Sequence, residues 1–116
     1  MFLFIDDERD PSFIPQDILQ NIISQHGQPI IARSVQECID IAYKTHPTFI
    51  SFDHDLGANP ITGKSETVIE FLNPFLYHCI NNNLPIPNFS IHSQNPVGTT
   101  NISSLIHSAK KALQMP

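Results

Sequence analysis

Basic residues are scarce in this sequence, and their scarcity limits the partners that we expect. Lys and Arg together number 6 against 11 Asp and Glu, which gives a formal net charge of −5 with histidine neutral. A protein that binds duplex nucleic acid neutralises many phosphates with basic side chains. We therefore expect no duplex DNA partner, whereas a small phosphate ligand or a nucleic-acid end held through a metal is compatible with this charge.

Long apolar runs are also absent. No run approaches the roughly 20 apolar residues that a membrane-spanning helix needs. The first residues contain neither a basic segment nor a small-residue cleavage site, and Met1 leads almost directly into an apolar stretch. We therefore expect no membrane partner and an intact N-terminus in the cytoplasm.

Cysteine is limited to Cys38 and Cys79. The two residues lie far apart, and neither belongs to a Cys-x-x-Cys pair. Disulfide frameworks and zinc sites draw on paired or clustered cysteines. We expect two reduced thiols that are packed in helices.

Four short strand-like segments alternate with segments of helical periodicity. The strand-like segments span residues 2–5, 30–32, 48–52 and 88–91, and they are typical of strands buried in a parallel sheet. A strand followed by a helix, four times over, implies parallel strands joined by right-handed crossovers. We predict one three-layer α/β domain over residues 1–116, with a four-stranded parallel sheet.

Proline and glycine predict the interruptions between these elements. Residues 57–63 and 94–100 contain both residue types, so we predict loops there. The third helix is predicted from Ser65 onward. Pro74 falls inside it and should kink or split it, because proline cannot donate the helical hydrogen bond.

Polar or ionisable side chains follow all four predicted strands. The carboxyl ends of parallel strands meet at one edge of a sheet, which is where such sheets bind ligands. We therefore predict that one site contains the four strand endings, which are Asp6-Asp7, Arg33-Ser34, Asp53-His54-Asp55 and His92-Ser93.

Three carboxylates in these endings predict a metal site. Asp6, Asp7 and Asp53 supply hard oxygen ligands, which suit Mg²⁺ or Mn²⁺. The alternative is that one aspartate caps a helix or turn while another is solvated.

Two histidines occupy equivalent places after neighbouring strands. His54 and His92 could act as general base and general acid, because the ordinary pKa of histidine, about 6.5, lies near working pH. Either could instead bind a metal, or be a neutral ring hydrogen-bonded to a loop carbonyl.

Two arginines are candidates for phosphate binding. Arg33 follows the second strand and Arg9 lies in the first loop, and the planar guanidinium of each suits a phosphate. Pairing with nearby acidic residues on the surface is the alternative for both.

The segment Thr62-Gly63-Lys64-Ser65 resembles part of a phosphate-binding loop. The Walker pattern needs four residues between its glycines, but five separate Gly57 from Gly63. We therefore reject that motif. A weaker prediction is an anion attracted by Lys64 and the amides of a helix N-terminus.

The acidic strand ends resemble those of two-component receiver domains. Asp53 matches the phospho-accepting aspartate of that family, and Ser93 roughly matches its hydroxyl residue after strand four. The chain departs from receivers because no fifth strand with a lysine follows. Lys110 and Lys111 lie on the last helix instead.

A closer resemblance, over nearly the whole chain, is to the cyclic-phosphate processing receiver-like family. The matching blocks are Ile5-Asp6-Asp7-Glu8-Arg9-Asp10-Pro11, Arg33-Ser34, Ser51-Phe52-Asp53-His54-Asp55-Leu56-Gly57, Thr62-Gly63 and His92-Ser93-Gln94-Asn95-Pro96-Val97-Gly98.

This resemblance implies a receiver-like, flavodoxin-like fold with strand order 2-1-3-4 and no fifth strand. It also implies a metal-assisted phosphoesterase that acts on cyclic phosphates, such as the 2′,3′-cyclic ends of RNA or nucleotides. Asp53, His54 and His92 would then be catalytic, and Asp6, Asp7 and Asp53 would bind Mg²⁺ or Mn²⁺. Substrate binding would involve Arg9, Arg33, Asp55, Thr62, Gly63, Ser93 and Asn95.

Two other functions fit the same residues. One is a signalling receiver that is phosphorylated on Asp53. The other is a non-catalytic module whose acidic pocket binds a metal or a partner. Phosphodiester hydrolysis separates the first hypothesis from both alternatives.

Overall fold

Four parallel strands form the central sheet of the computed structural model, which describes residues 1–114. All the strands, in chain order, are β1 (Phe2–Ile5), β2 (Pro29–Ala32), β3 (Phe49–Phe52), β4 (Asp55–Ala58), β5 (Ser65–Thr67) and β6 (Asn88–Ile91). The parallel sheet has the order β2-β1-β3-β6. This order confirms the predicted receiver-like arrangement of four parallel strands. The last two residues of the predicted domain, 115–116, lie outside the described residues.

Four α-helices connect or follow these strands, and a short 3-10 helix (Pro11–Phe13) lies between β1 and the first of them. The helices are α1 (Gln16–His26), α2 (Val35–Thr45), α3 (Ile69–Asn81) and α4 (Pro96–Gln114). No helix within residues 1–114 combines the length and the apolarity that crossing a bilayer requires.

The sheet separates two apolar layers because successive side chains point to opposite faces. Phe2 and Phe4 pack with α1 on one face. Leu3 and Ile5 face the other side, where they join the larger core formed with α2, α3 and α4. The predicted three-layer architecture is therefore confirmed.

The segment predicted as a loop over 57–63 and a helix from Ser65 is instead a β-hairpin. Strands β4 and β5 pair antiparallel, and α3 begins only at Ile69. The side chain of Asn59 holds the turn by accepting the N–H groups of Ile61 and Thr62, at 2.8 and 3.1 Å. The predicted helix N-terminus at this segment is therefore wrong, and so is the anion site that was inferred from it.

Pro74 does not split α3, which continues to Asn81. The proline removes one helical hydrogen bond. Phe71, Leu72 and Phe75 on the same helix are buried in the core. Burying these side chains offsets the missing bond, because each is worth about 1.5–3 kcal/mol.

Helix α4 begins at Pro96, inside the segment predicted as a loop over 94–100. Asn95 precedes it, and its Oδ1 accepts the N–H groups of Val97 and Gly98, both at 3.1 Å. Proline suits the first position of a helix, where its missing N–H costs nothing. The prediction of a loop treated this proline as a helix breaker, whereas it is a helix starter.

Both cysteines are free and buried, as predicted. Burial raises the pKa of the Cys38 thiol to about 12 and that of Cys79 to about 11. Thiols with such a high pKa are poor nucleophiles and poor metal ligands. We assign both residues to core packing.

The larger core should depend strongly on its aromatic side chains. Phe71 has no exposed surface. We expect Phe71→Ala to lower the free energy of unfolding by about 3–5 kcal/mol, because the substitution leaves a cavity. Urea denaturation measures this change. Phe13→Ala is the matched control, since Phe13 is 45% exposed, and should cost about 1 kcal/mol or less. Equal losses would contradict the assignment of the core.

Candidate active site at the carboxyl edge of the sheet

The register of the parallel sheet brings three strand ends into one row. Asp6, Asp53 and His92 each come directly after their strand. Each donates its backbone N–H to the carbonyl of the last residue of the neighbouring strand, at 3.1, 2.9 and 2.9 Å. The predicted convergence of these strand ends is therefore present.

Three carboxylates meet at this edge. One oxygen from each of Asp6, Asp7 and Asp53 lies within 4.8 Å of the other two. Asp6 is buried, and the other two are partly exposed. Oxygen donors at this spacing match the preference of Mg²⁺ and Mn²⁺.

The carboxylate of Asp6 is held by backbone donors. Its Oδ1 accepts the N–H groups of Glu8 and Arg9, at 2.9 and 2.8 Å. Burial favours the neutral form of Asp6, but these two bonds and nearby His92 together outweigh burial. The pKa of Asp6 is therefore below its ordinary value of 3.8, and Asp6 is a fixed negative charge.

The pKa of Asp53 is shifted in the opposite direction, upwards. Desolvation and then repulsion from Asp6 and Asp7 raise its pKa to about 6, although Asp53 Oδ1 accepts the His54 N–H at 2.9 Å. The cluster thus carries more negative charge than its surroundings neutralise. A divalent cation would relieve this repulsion, so the donor set fits the predicted metal.

Gly57 on β4 packs directly against the cluster. A Cβ atom at this position would lie 3.2 Å from Asp7 Oδ2, and the residue has a φ of +73°. Glycine is favoured here because it tolerates this φ and leaves room for the carboxylate. The hairpin that the sequence did not predict therefore forms one wall of the site.

His54 forms a dyad with the residue that follows it. Its Nδ1 lies 3.0 Å from Asp55 Oδ1. Because a carboxylate only accepts, Nδ1 carries the proton, and a neutral ring then has its lone pair on Nε2. Asn95 Nδ2 also donates to Asp55, at 3.3 Å. The bond from His54, and to a lesser extent that from Asn95, holds the pKa of Asp55 below its ordinary value.

The first turn of α4 fixes the position of the His54 ring. A Cβ atom at Gly98 would lie 2.3 Å from His54 Cγ. Only glycine leaves space for the ring at this point. His54 is consequently buried, with 8% of its surface exposed.

His92 has partners on both ring nitrogens. Nδ1 lies 2.7 Å from Ser51 Oγ, and Nε2 lies 3.1 Å from Asp6 Oδ2. The ring stacks on Phe4, with the ring centres 4.5 Å apart and an interplanar angle of 5°. Burial lowers the pKa of His92 more than the carboxylate of Asp6 raises it. The ring is therefore neutral near pH 7.

The two arginines differ in their surroundings. The Arg9 guanidinium lies over the Phe13 ring, 4.3 Å from its centre. Arg33 Nη1 donates to the backbone carbonyls of Asp6 and Arg9, which belong to the loop after β1. Arg33 thus braces this loop.

A cleft of about 530 Å³ opens above the carboxylates. Its volume lies within the range of small-molecule sites, about 300–1,000 Å³. The lining residues are Asp7, Glu8, Arg9, Asp53, Asp55, Gly57, Ser93, Gln94 and Asn95. Of the predicted substrate-binding residues, the cleft therefore contains Arg9, Asp55, Ser93 and Asn95.

The other predicted substrate-binding residues lie elsewhere. Arg33 is not among the lining residues, and neither are Thr62 and Gly63, which belong to the turn between β4 and β5. The Gly63 N–H donates to the Asn59 carbonyl at 2.8 Å. The roles of these three residues in substrate binding stay predictions.

Sequence reasoning missed Ser51, the partner of His92. A signal was present, because strand side chains alternate between faces and Ser51 is a polar residue between the apolar Ile50 and Phe52. Ser51 has no exposed surface. A polar side chain at such a position needs a buried partner.

The raised pKa of Asp53 has a consequence for stability. The folded state holds this proton more tightly than the unfolded state, so the contribution is complete below about pH 4 and is lost as the pH rises through about 6. We expect metal-free Asp53→Asn to gain about 1–2 kcal/mol in the free energy of unfolding at pH 7, after allowance for solvent screening. The gain should shrink towards zero near pH 4.

Urea denaturation at both pH values in the presence of EDTA measures this change. Asp40→Asn, at an exposed position of α2, is the matched control and should produce no such gain. A loss of stability in Asp53→Asn at pH 7 would contradict the charge repulsion inferred for the cluster.

Comparison with known proteins supplies the family. No curated protein sequence matches the chain significantly, and no solved structure does either. The family model described as the cyclic-phosphate processing receiver domain matches residues 1–108. Its match includes all four strands of the parallel sheet, the acidic cluster, His54 and His92. The chain belongs to the cyclic-phosphate processing receiver domain family.

Proposed function

We propose that this protein is a phosphoesterase that opens cyclic phosphodiesters, such as the 2′,3′-cyclic phosphate of a nucleotide or of an RNA end. The single observation that carries the proposal is the meeting of three carboxylates beside one cleft that also adjoins the His54–Asp55 dyad. The name of the family supports the choice of a cyclic phosphate.

The charge of the cleft supports a need for metal. Four acidic residues line it, with Arg9 as the one cation among the lining residues. A phosphate would be repelled from such a surface unless a cation intervenes. Asp6, Asp7 and Asp53 would hold Mg²⁺ or Mn²⁺, which when bound supplies positive charge against the phosphoryl oxygens.

His54 is suited to the proton transfers. Hydrolysis adds water to phosphorus and breaks one bond from phosphorus to a ribose oxygen. His54 Nε2 takes a proton from the attacking water and returns a proton to the leaving ribose oxygen. Asp55 supports both steps because it keeps the proton on Nδ1 and stabilises the positively charged ring. The role of His92 as a second general acid or base remains a prediction.

The remaining lining residues would bind and orient the substrate. Arg9 supplies a planar cation for phosphate. Ser93 and Asn95 also line the cleft, and Ser93 Oγ accepts the Asn95 N–H at 3.1 Å. The cleft volume suits one nucleotide, either free or at the end of an RNA strand. The two free thiols support a reducing, cytoplasmic location for this activity.

The direct test is hydrolysis of 2′,3′-cyclic mononucleotides and of an oligoribonucleotide with a cyclic-phosphate end. We expect turnover with Mg²⁺ or Mn²⁺ and none with EDTA. Asp53→Asn and His54→Ala should each lower kcat/KM by about 10²–10⁴-fold, because each removes a charge or a proton carrier from the reaction. Phosphorus NMR of the product shows which ester bond is cleaved.

His107→Ala is the matched control, since His107 lies on the exposed face of α4 and should leave turnover unchanged. Acetyl phosphate tests the signalling alternative. A stable phosphoryl group on Asp53, together with no hydrolysis of any cyclic phosphate, would contradict the proposal and favour a signalling receiver. Metal binding without either reaction would favour a non-catalytic module.

A further inference from the structure

A buried chain of hydrogen bonds runs from β6 through β3 to the acidic cluster. Ser90 Oγ donates to Ser51 Oγ at 3.3 Å, Ser51 Oγ meets His92 Nδ1 at 2.7 Å, and His92 Nε2 meets Asp6 Oδ2 at 3.1 Å. The side chains of His92 and Asp6 are 7% and 1% exposed, and Ser51 is fully buried. This chain lies behind the cleft, because none of its members is among the lining residues.

The partners of His92 fix its tautomer. The carboxylate of Asp6 only accepts, so His92 Nε2 carries the proton and Nδ1 accepts the Ser51 hydroxyl. Stacking on Phe4 fixes the plane of the ring. Both nitrogens are thus occupied. A proton transfer to substrate would have to break one of these buried bonds. The polar ring contacts that the structure describes for His54, in contrast, involve only Nδ1.

The bonds to Asp6 leave one position for a cation. A carboxylate offers about four lone-pair positions. Oδ1 uses two of them for the Glu8 and Arg9 N–H groups, and Oδ2 uses one for His92. The remaining position is on Oδ2, and its direction depends on where His92 holds the carboxylate.

We propose that Ser51 and His92 form a positioning relay that orients Asp6 for metal binding, and that His92 takes no part in proton transfer. The inference rests on the metal site of the proposed function. It goes beyond that proposal because it gives His54 and His92 different tasks. His54 moves protons, and His92 holds a ligand.

Substitutions at His92 separate positioning from proton transfer. Glutamine can place an N–H where His92 Nε2 lies, so it keeps the bond to Asp6 but cannot carry a proton at neutral pH. Alanine removes the bond altogether. Loss of a side chain that orients a metal ligand typically weakens metal binding by about 10–100-fold.

The experiment is calorimetric titration of the full chain with Mn²⁺ at pH 7. We expect His92→Ala to weaken Mn²⁺ binding by about 10–100-fold and His92→Gln to stay within about threefold of the wild type. Ser51→Ala should fall between them, because it frees the ring without removing it. His107→Gln, the same substitution outside the cleft, is the control. Circular dichroism verifies that each variant is folded.

Turnover of a 2′,3′-cyclic nucleotide supplies the second measurement. We expect His92→Gln to keep most of the wild-type kcat at saturating Mn²⁺. Unchanged Mn²⁺ affinity in both His92 variants, with kcat lost equally in both, would overturn the relay and make His92 a proton carrier. Wild-type protein that binds no Mn²⁺ would instead overturn the metal site, and the relay with it.

Discussion

The buried carboxylate of Asp6 is the constraint on which the site depends. A buried charge is costly unless hydrogen bonds satisfy it. Here those bonds come from the loop after β1 and from His92 at the end of β6. The hydrogen bonds to Asp6 therefore fix the conformation of the loop after β1 and hold the end of β6 close to the end of β1. Arg33 reinforces the same loop through its carbonyl oxygens.

Repulsion within the acidic cluster lowers the stability of the folded protein near pH 7. Asp6 remains ionised because its hydrogen bonds and His92 outweigh its burial, whereas desolvation and then repulsion from Asp6 and Asp7 raise the pKa of Asp53 to about 6. One oxygen from each of Asp6, Asp7 and Asp53 lies within 4.8 Å of the other two. Selection for stability alone would not favour such an arrangement. Charge repulsion that the folded protein does not neutralise is typical of binding and catalytic sites. The same negative charge would repel a phosphate, which is why the proposed function includes a cation.

The sequence predicted the sheet and its polar edge because both follow from local patterns. Short buried strands alternate with helices, which indicates a parallel sheet. In such a sheet, residues that directly follow the strands all lie at the same edge. The hairpin of β4 and β5 was missed, since its strands are short and two-stranded pairing has no strong periodicity. The start of α4 was missed because Pro96 was interpreted as a breaker. The environment of His92 depends on Ser51, 41 residues earlier. The polar Ser51 within an apolar strand indicates a buried partner, but no local pattern identifies that partner as His92.

In the function that we propose, the acidic cluster holds a divalent metal against a cyclic phosphate. The most direct measurement is anomalous X-ray diffraction from crystals grown with Mn²⁺ and a non-hydrolysable 2′,3′-cyclic nucleotide analogue. We expect one manganese peak coordinated by Asp6, Asp7 and Asp53, with a phosphoryl oxygen of the analogue on the same ion and His54 Nε2 facing the phosphorus. A cleft without manganese, or an analogue bound away from the cluster, would contradict the proposed function.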